Sequence, residues 1–258
     1  SIITGDFDDQ DCSIDENELS EEIPIIALRN TIIFPGTSQP IAIARKKSLK
    51  AIKSLKNRRA LIGLVCQKDV NTEDPDRNDL YEIGVIGEVL RVIELSDEDN
   101  ITVIFQGKRR FRLDEITKQT PYLKGKYTLL ETKKASLEDK EYLALLDSIR
   151  DLTIQMMRMF GEPPKELLQR INSKEGLSML VNYCCTNLPI PISEKQDLLN
   201  IDDEKDRAYR LLVILNRETQ MMEMKMSIQM KTREELNQQQ KEYFLQQQIK
   251  AIQDELGG

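Results

Sequence analysis

The sequence predicts an α+β chain: a β-rich first part, a helical body and one long C-terminal helix. Three observations carry this prediction. Between Ile23 and Glu131 apolar residues come in short runs rich in Val, Ile, Phe and Tyr with turn residues between them; after Lys134 the apolar period lengthens to three and four; and no Gly or Pro falls between Ile192 and Leu256. The organisation expected is an acidic arm over 1–22, a β-rich subdomain over 23–134, a helical subdomain over 135–202 and a long helix over 203–258.

The arm holds nine carboxylates and no Lys or Arg. So much like charge with so few apolar residues cannot offset the entropy of ordering, which predicts a disordered segment. Taking its −9 from the chain's −7 leaves +2, so the acidic balance belongs to the arm and the rest is close to neutral.

Strand-like runs follow at Pro24–Leu28, Gln39–Ala44, Ala60–Cys66, Glu82–Glu94, Ile101–Gln106, Arg110–Ile116 and Tyr122–Leu130. Leu95–Asn100 reads as a hairpin connection, and Asn71–Asn78, with Pro75, as a polar loop. One helix interrupts the series from Lys46 to Asn57, because Leu49, Ile52 and Leu55 share a side. A small barrel-like sheet with one covering helix is the simplest arrangement, since closure removes exposed edges.

In the helical part Ser136–Asp139 resembles a capping box, and Tyr142, Leu145, Leu146, Ile149, Leu152, Met156 and Phe160 form a stripe that ends at Gly161 and the Pro163-Pro164 pair. Pro164 can open a second helix carrying Leu167, Leu168 and Ile171. Lys174–Cys185 supplies a third, and Ser193–Gln196 reads as the capping start of a fourth. Asp202, Asp203 and Glu204 favour the start of the long helix by complementing its dipole, and from Asp203 to Leu256 it would run roughly 80 Å at about 1.5 Å per residue. Apolar Leu211, Leu212, Ile214, Leu215, Met221 and Met222 line its first half, Lys231–Glu242 holds only Leu236, and Leu245, Ile249, Ile252 and Leu256 restore a heptad-like seam suited to helix association.

Composition excludes much chemistry. The 258 residues contain no histidine, which removes His-based triads and imidazole acid/base schemes. Cys12, Cys66, Cys184 and Cys185 show neither C-x-x-C spacing nor a usable disulfide pattern, so no metal site is expected and a reducing cytoplasm fits. Cys66 reads as a small buried hydrophobe. No run of eighteen apolar residues and no secretory signal occurs, so a soluble chain with no membrane partner is expected. Gly107-Lys108 and Gly125-Lys126 lack the preceding Gly of a phosphate-cradling loop, and no catalytic residue, cofactor site or metal site is assigned.

Four places are candidates for binding. Arg45, Lys46, Lys47, Lys50, Lys53, Lys56, Arg58 and Arg59 occur with no acid among them, a positive field for anions in which Lys46, Lys47, Lys50, Lys53, Arg58 and Arg59 are the candidate contacts; Lys108–Arg112 would add to it if it lies nearby. Met221, Met224 and Met230 belong to a cluster of five methionines in ten residues, which cannot all face one side of a helix, and flexible thioethers suit varied apolar partners. Core packing is the expected role of Met222 and Met226. Phe34 and Pro35, in an apolar turn, and Ile93, beside the expected hairpin tip, are further candidate client contacts.

Ile23–Gly36, Leu64–Val70, Asp79–Val85 and the Gln-rich tail Lys241–Gly258 resemble the N-terminal region of ATP-dependent Lon proteases (endopeptidase La), over nearly the whole chain. The resemblance implies a PUA-like N-terminal subdomain that recognises substrates and has a regulatory role. It implies a longer parent, an ATP-dependent serine protease with a Ser–Lys dyad, using ATP and Mg, assembling as a homohexamer and degrading misfolded, damaged and short-lived regulatory proteins. The ATPase and protease domains of that family lie beyond this chain, which is therefore expected to bind unfolded protein and assist assembly without being an enzyme itself. The family is also associated with DNA, so the alternative is a nucleic-acid-binding or regulatory scaffold module using the basic helix 45–59.

Overall fold

A computed structural model describes residues 12–55, 59–94 and 100–257. Its strands and α-helices are β1 (Glu22–Leu28), β2 (Ser38–Ile43), α1 (Lys46–Ser54), β3 (Leu61–Cys66), β4 (Ile83–Glu94), β5 (Ile101–Lys118), β6 (Lys124–Leu129), α2 (Lys140–Arg158), α3 (Lys165–Asn172), α4 (Lys174–Asn187), α5 (Ile192–Asn200) and α6 (Glu204–Leu256). The fold is α+β, and the chain divides into two units, Ser1–Ile214 and Leu215–Gly258. The hairpin connection expected at 95–100 falls mostly outside the described residues.

In the first unit the sheet order is β2-β5-β4-β3-β1-β6, and β6 pairs with β5 as well. Five strands therefore close on themselves, while β2 extends the sheet from the first half of β5. Ser38–Ile43 pairs antiparallel with Ile101–Gln106, and the second half of β5, from Phe111, pairs with β6. The two runs read separately at Ile101–Gln106 and Arg110–Ile116 are one strand of 18 residues. The apparent break is a close approach: Gly107 lies under the Phe34 carbonyl, where a Cβ would collide with backbone.

β1 runs parallel to β3 with Ile26 opposite Leu64, and it is apolar on both faces because both are covered. Ile26 and Leu28 join Ile52 of α1, Val103 and Phe105 in one core cluster. Ile23, Ile25 and Ala27 join Ile86, Phe111 and Leu113 in another. Part of the arm expected to be disordered through Glu22 is ordered. Residues 1–11 lie outside the described residues, but Ile14 and Leu19 pack on the second cluster, Asp15 caps a short 3-10 turn at Glu16–Glu18, and Tyr127 donates its hydroxyl to the Ser20 carbonyl at 2.8 Å. Two apolar anchors and a cap outweigh the charge repulsion there.

In the helical part α2 buries Tyr142, Leu146, Ile149, Thr153 and Met156. Two expected caps differ. Asp139, not Ser136, caps α2, accepting from the backbone N–H groups of Glu141 at 3.0 Å and Tyr142 at 3.3 Å, while Ser136 closes the turn before it. α5 begins at Ile192 after Pro191 with no side-chain cap, which leaves Ser193 inside the helix. Asp203 caps α6, accepting from the N–H groups of Lys205 and Asp206.

Candidate functional site

Two buried arginines meet at the end of α5: Arg110, read in the sequence only as part of the cationic run 108–112, and Arg207, unremarked there. Arg110 of β5 donates to the Leu199 carbonyl at 3.0 Å, the Glu131 carbonyl at 2.9 Å and the Asp202 carboxylate at 2.8 Å. Arg207 of α6 donates to the carbonyls of Leu198 at 3.0 Å and Ile201 at 2.6 Å. The last carbonyls of a helix have no partner within it, and these guanidiniums supply partners for the end of α5. Burial pushes the Arg207 guanidinium down from its ordinary value.

Phe34 is not a surface contact. It is fully buried, donates its N–H to the Thr186 hydroxyl of α4 at 3.1 Å, and carries the Arg207 guanidinium 5.9 Å from its ring centroid. The apolar turn faces inward because α4 covers it. Pro35 is half-buried, its carbonyl accepting from Asn182 at 3.1 Å. Ile93 is half-buried on β4 opposite Thr102, and its neighbours Leu90 and Val92, missed in the sequence, are 45% and 41% exposed. A bulge between Val89 and Arg91 shifts the alternation there, so apolar residues meet solvent against the simple period.

Around the basic helix only part of the expected field is open. Lys46, Lys50 and Lys53 are exposed at one-turn intervals along α1. Lys47 pairs with Asp74 at 2.7 Å and Arg59 with Glu88 at 3.5 Å, and Arg58 lies outside the described residues. Lys108–Arg112 does not add to the field. Lys108 is buried against Glu88 at 3.0 Å, Arg109 pairs with Glu16 and Glu131, Arg110 is buried, and Arg112 pairs with Asp114. A polar cleft of about 760 Å³ beside Lys108 has Asp15, Glu18, Glu22 and Glu88 facing Arg59, Lys108 and Lys124, so its lining favours neither sign.

In the second unit, residues 223–257 are all exposed. Met221, Met224 and Met230 are 45%, 64% and 64% exposed, and Ile228 joins them. Met226 is exposed too, not packed in a core as expected, because within this unit a single helix has no inner side there. Leu245, Ile249, Ile252 and Leu256 are all exposed. Among the described residues, no group of three His, Cys, Asp or Glu is placed to hold a metal ion, and no helix is long and apolar enough to cross a membrane. The Cys66, Cys184 and Cys185 thiols are buried, with burial pushing Cys66 up to about 11 and Cys184 to about 12, values that make poor nucleophiles.

Comparison with known proteins places these surfaces in context. The family model of the ATP-dependent protease La (LON) substrate-binding domain matches residues 22–217. The chain is 51% identical over 254 residues to the Lon protease of Parabacteroides distasonis, covering 96% of this chain and 31% of that protein. It is 46% identical over 253 residues to the Lon protease of Porphyromonas gingivalis, covering 97% and 30%. The chain thus spans about 30% of the length of these curated relatives. Among solved structures, the N-terminal domain of a Mycobacterium avium complex Lon protease aligns with TM-score 0.55 at 20% identity, over 75% of this chain and 97% of that one. A Lon N-terminal domain protein from Xanthomonas campestris aligns with TM-score 0.52 at 14% identity, over 74% and 97%. Those two likenesses establish the fold.

Proposed function

The chain belongs to the family of Lon substrate-binding domains, and from that premise we propose that it recognises unfolded and damaged protein and hands it to an ATP-dependent serine protease of which it is the N-terminal part. The observation that carries this reading is the set of large apolar side chains left in solvent: Leu90 and Val92 on the sheet, and Met221, Met224, Ile228 and Met230 on α6. Exposed apolar groups on flexible side chains accept many sequences and need no deep pocket. ATP and Mg serve the longer protein, and the chain itself catalyses nothing. Regulatory control of that protease and assembly into a homohexamer belong to the same proposal, with the exposed seam Leu245, Ile249, Ile252 and Leu256 as the associating face. The buried thiols of Cys66, Cys184 and Cys185 suit a reducing cytoplasm.

Replacing Leu90 and Val92 by Lys, or Met221, Met224 and Met230 by Ser, changes exposed positions that the fold does not need. Either set should weaken capture of a reduced, carboxymethylated protein about ten-fold, the loss of one or two buried apolar contacts. Unchanged affinity in both sets refutes the reading. One observation favours a second activity: Lys46, Lys50 and Lys53 form an exposed cationic row, which suits phosphates of DNA.

A further inference from the structure

The sheet has a gap between β1 and β2. β6 reaches β1 only over Glu22–Pro24, and β2 pairs with β5 alone. Among the described residues no backbone hydrogen bond joins the second half of β1 to β2. The two edges bound a cleft of about 540 Å³, lined among others by Ala27, Leu28, Pro40, Ala42, Arg29 and Arg45.

The backbone groups facing this cleft follow from strand alternation. The Leu28 carbonyl accepts from Gln67 N on the β3 side at 2.9 Å, so Ala27 turns its N–H and C=O to the opposite side, where Arg45 Nη1 reaches its carbonyl at 3.3 Å. On the other wall, Thr37 O accepts from Gly107 N at 2.8 Å, so odd-numbered residues of β2 turn toward β5 and Pro40 and Ala42 turn outward. Pro40 stands where a missing N–H costs no ladder bond, as on an edge strand. The Ala27 N–H, the Pro40 carbonyl and both backbone groups of Ala42 are thereby presented to the cleft, and the small alanine side chains leave them reachable.

Charge completes the site. Arg29 and Arg45 line the cleft against one acid, Glu73. Arg45 donates to Gln67 Oε1 at 2.9 Å, yet its buried Nε has no partner. Burial and the field of Arg29 push its guanidinium down from the ordinary value, the condition a nearby carboxylate relieves. A second copy of this edge would bring two more arginines against these two.

We propose that an extended, acid-bearing client segment adds as a strand between β1 and β2, its carboxylate set against Arg29 and Arg45. The proposal rests on the client-recognition reading and specifies its chemistry. Main-chain pairing is indifferent to most side chains but demands free, extended backbone, so it accepts unfolded polypeptide and refuses folded protein whose strands are already paired.

The test uses the full chain and a labelled eight-residue peptide of alternating Val and Thr ending in two Glu, beside the same peptide N-methylated at alternate residues, which keeps every side chain and removes donors. Binding should fall at least about ten-fold on N-methylation, on Ala42→Pro, which takes a donor from the cleft edge only, and on exposed Arg29→Glu. Circular dichroism checks that each variant folds; if Ala42→Pro does not, the methylated peptide and Arg29→Glu decide. Equal affinity for the two peptides overturns strand addition, as does loss of peptide binding at rising protein concentration, which would assign the edges to a second copy. If the chain captures reduced, carboxymethylated protein undiminished by Ala42→Pro and Arg29→Glu, this proposal fails and client recognition stands. If it captures no unfolded protein, both fail.

Discussion

Phe34 donates its backbone N–H to the hydroxyl of Thr186, across 152 positions of sequence and within a buried site. The same hydroxyl lies 3.0 Å from that of Thr37, so the turn after β1 is fastened to α4 by polar atoms around a buried ring. Phe34→Ala should lower stability by about 3–5 kcal/mol through the cavity it leaves, and Thr186→Val by about 1–3 kcal/mol through stranded partners. Urea unfolding measures both. A cost below about 1 kcal/mol for Phe34→Ala would show the ring to be dispensable.

Arg110 is fully buried, yet its ion-pair partner Asp202 is largely exposed. The carbonyls of Leu199 and Glu131 therefore depend on the guanidinium more than the carboxylate does. Arg110→Met should cost about 3 kcal/mol or more, whereas Asp202→Asn should cost about 1 kcal/mol or less. Equal losses in thermal unfolding would place the stabilising contact in the ion pair instead.

Acid and base should both loosen the junction of α2 with α6. The hydrogen bond from Lys205 first, then those from backbone N–H groups, hold the Asp139 carboxyl below its ordinary 3.8, and Lys133 does the same for Asp203. A carboxyl lowered by folding adds stability that is full above the unfolded value and lost as pH falls through the lower folded value, so the loss comes below about pH 4. Lys205 is raised above 10.5, chiefly by Asp139, and its share is lost as pH climbs past that value. These groups meet solvent, so the effects are modest and fade with salt. Asp139→Asn should flatten the melting temperature against pH between about 2.5 and 5 relative to the parent. Parallel curves would remove Asp139 from the account.

For the cationic row, Lys46→Gln, Lys50→Gln and Lys53→Gln together should weaken duplex DNA binding at low salt and reduce the slope of log K against log salt by about 2 to 3. Unfolded-protein capture should not change. A slope unaffected by the triple change would exclude α1 as the DNA contact.

Much of the fold was legible because burial imposes period. The strand runs and the stripe of α2 from Tyr142 to Met156 follow from which residues must be covered, although Phe160 at the expected end of that stripe is 75% exposed. By contrast α6, exposed from 223 onward, was legible from its lack of Gly and Pro. What misled was tertiary context. An apolar turn at Phe34 looks the same whether α4 covers it or solvent does, and the cationic run 108–112 alternates between sheet interior and ion pairs in a way only the closed sheet decides. Ile14 and Leu19 were too few to signal that part of the acidic arm is held. Pro40 was a usable signal for an edge strand, and hence for the cleft beside it, that the sequence already carried.

Client recognition is tested most directly with one protein in two states. The isolated chain is titrated into a labelled protein after reduction and carboxymethylation, and into the same protein native and disulfide-bonded. Exposed Leu90, Val92 and methionines together with an open strand edge should give at least about ten-fold tighter binding to the unfolded form. Equal affinity for both states, or no binding of the unfolded one, would contradict it.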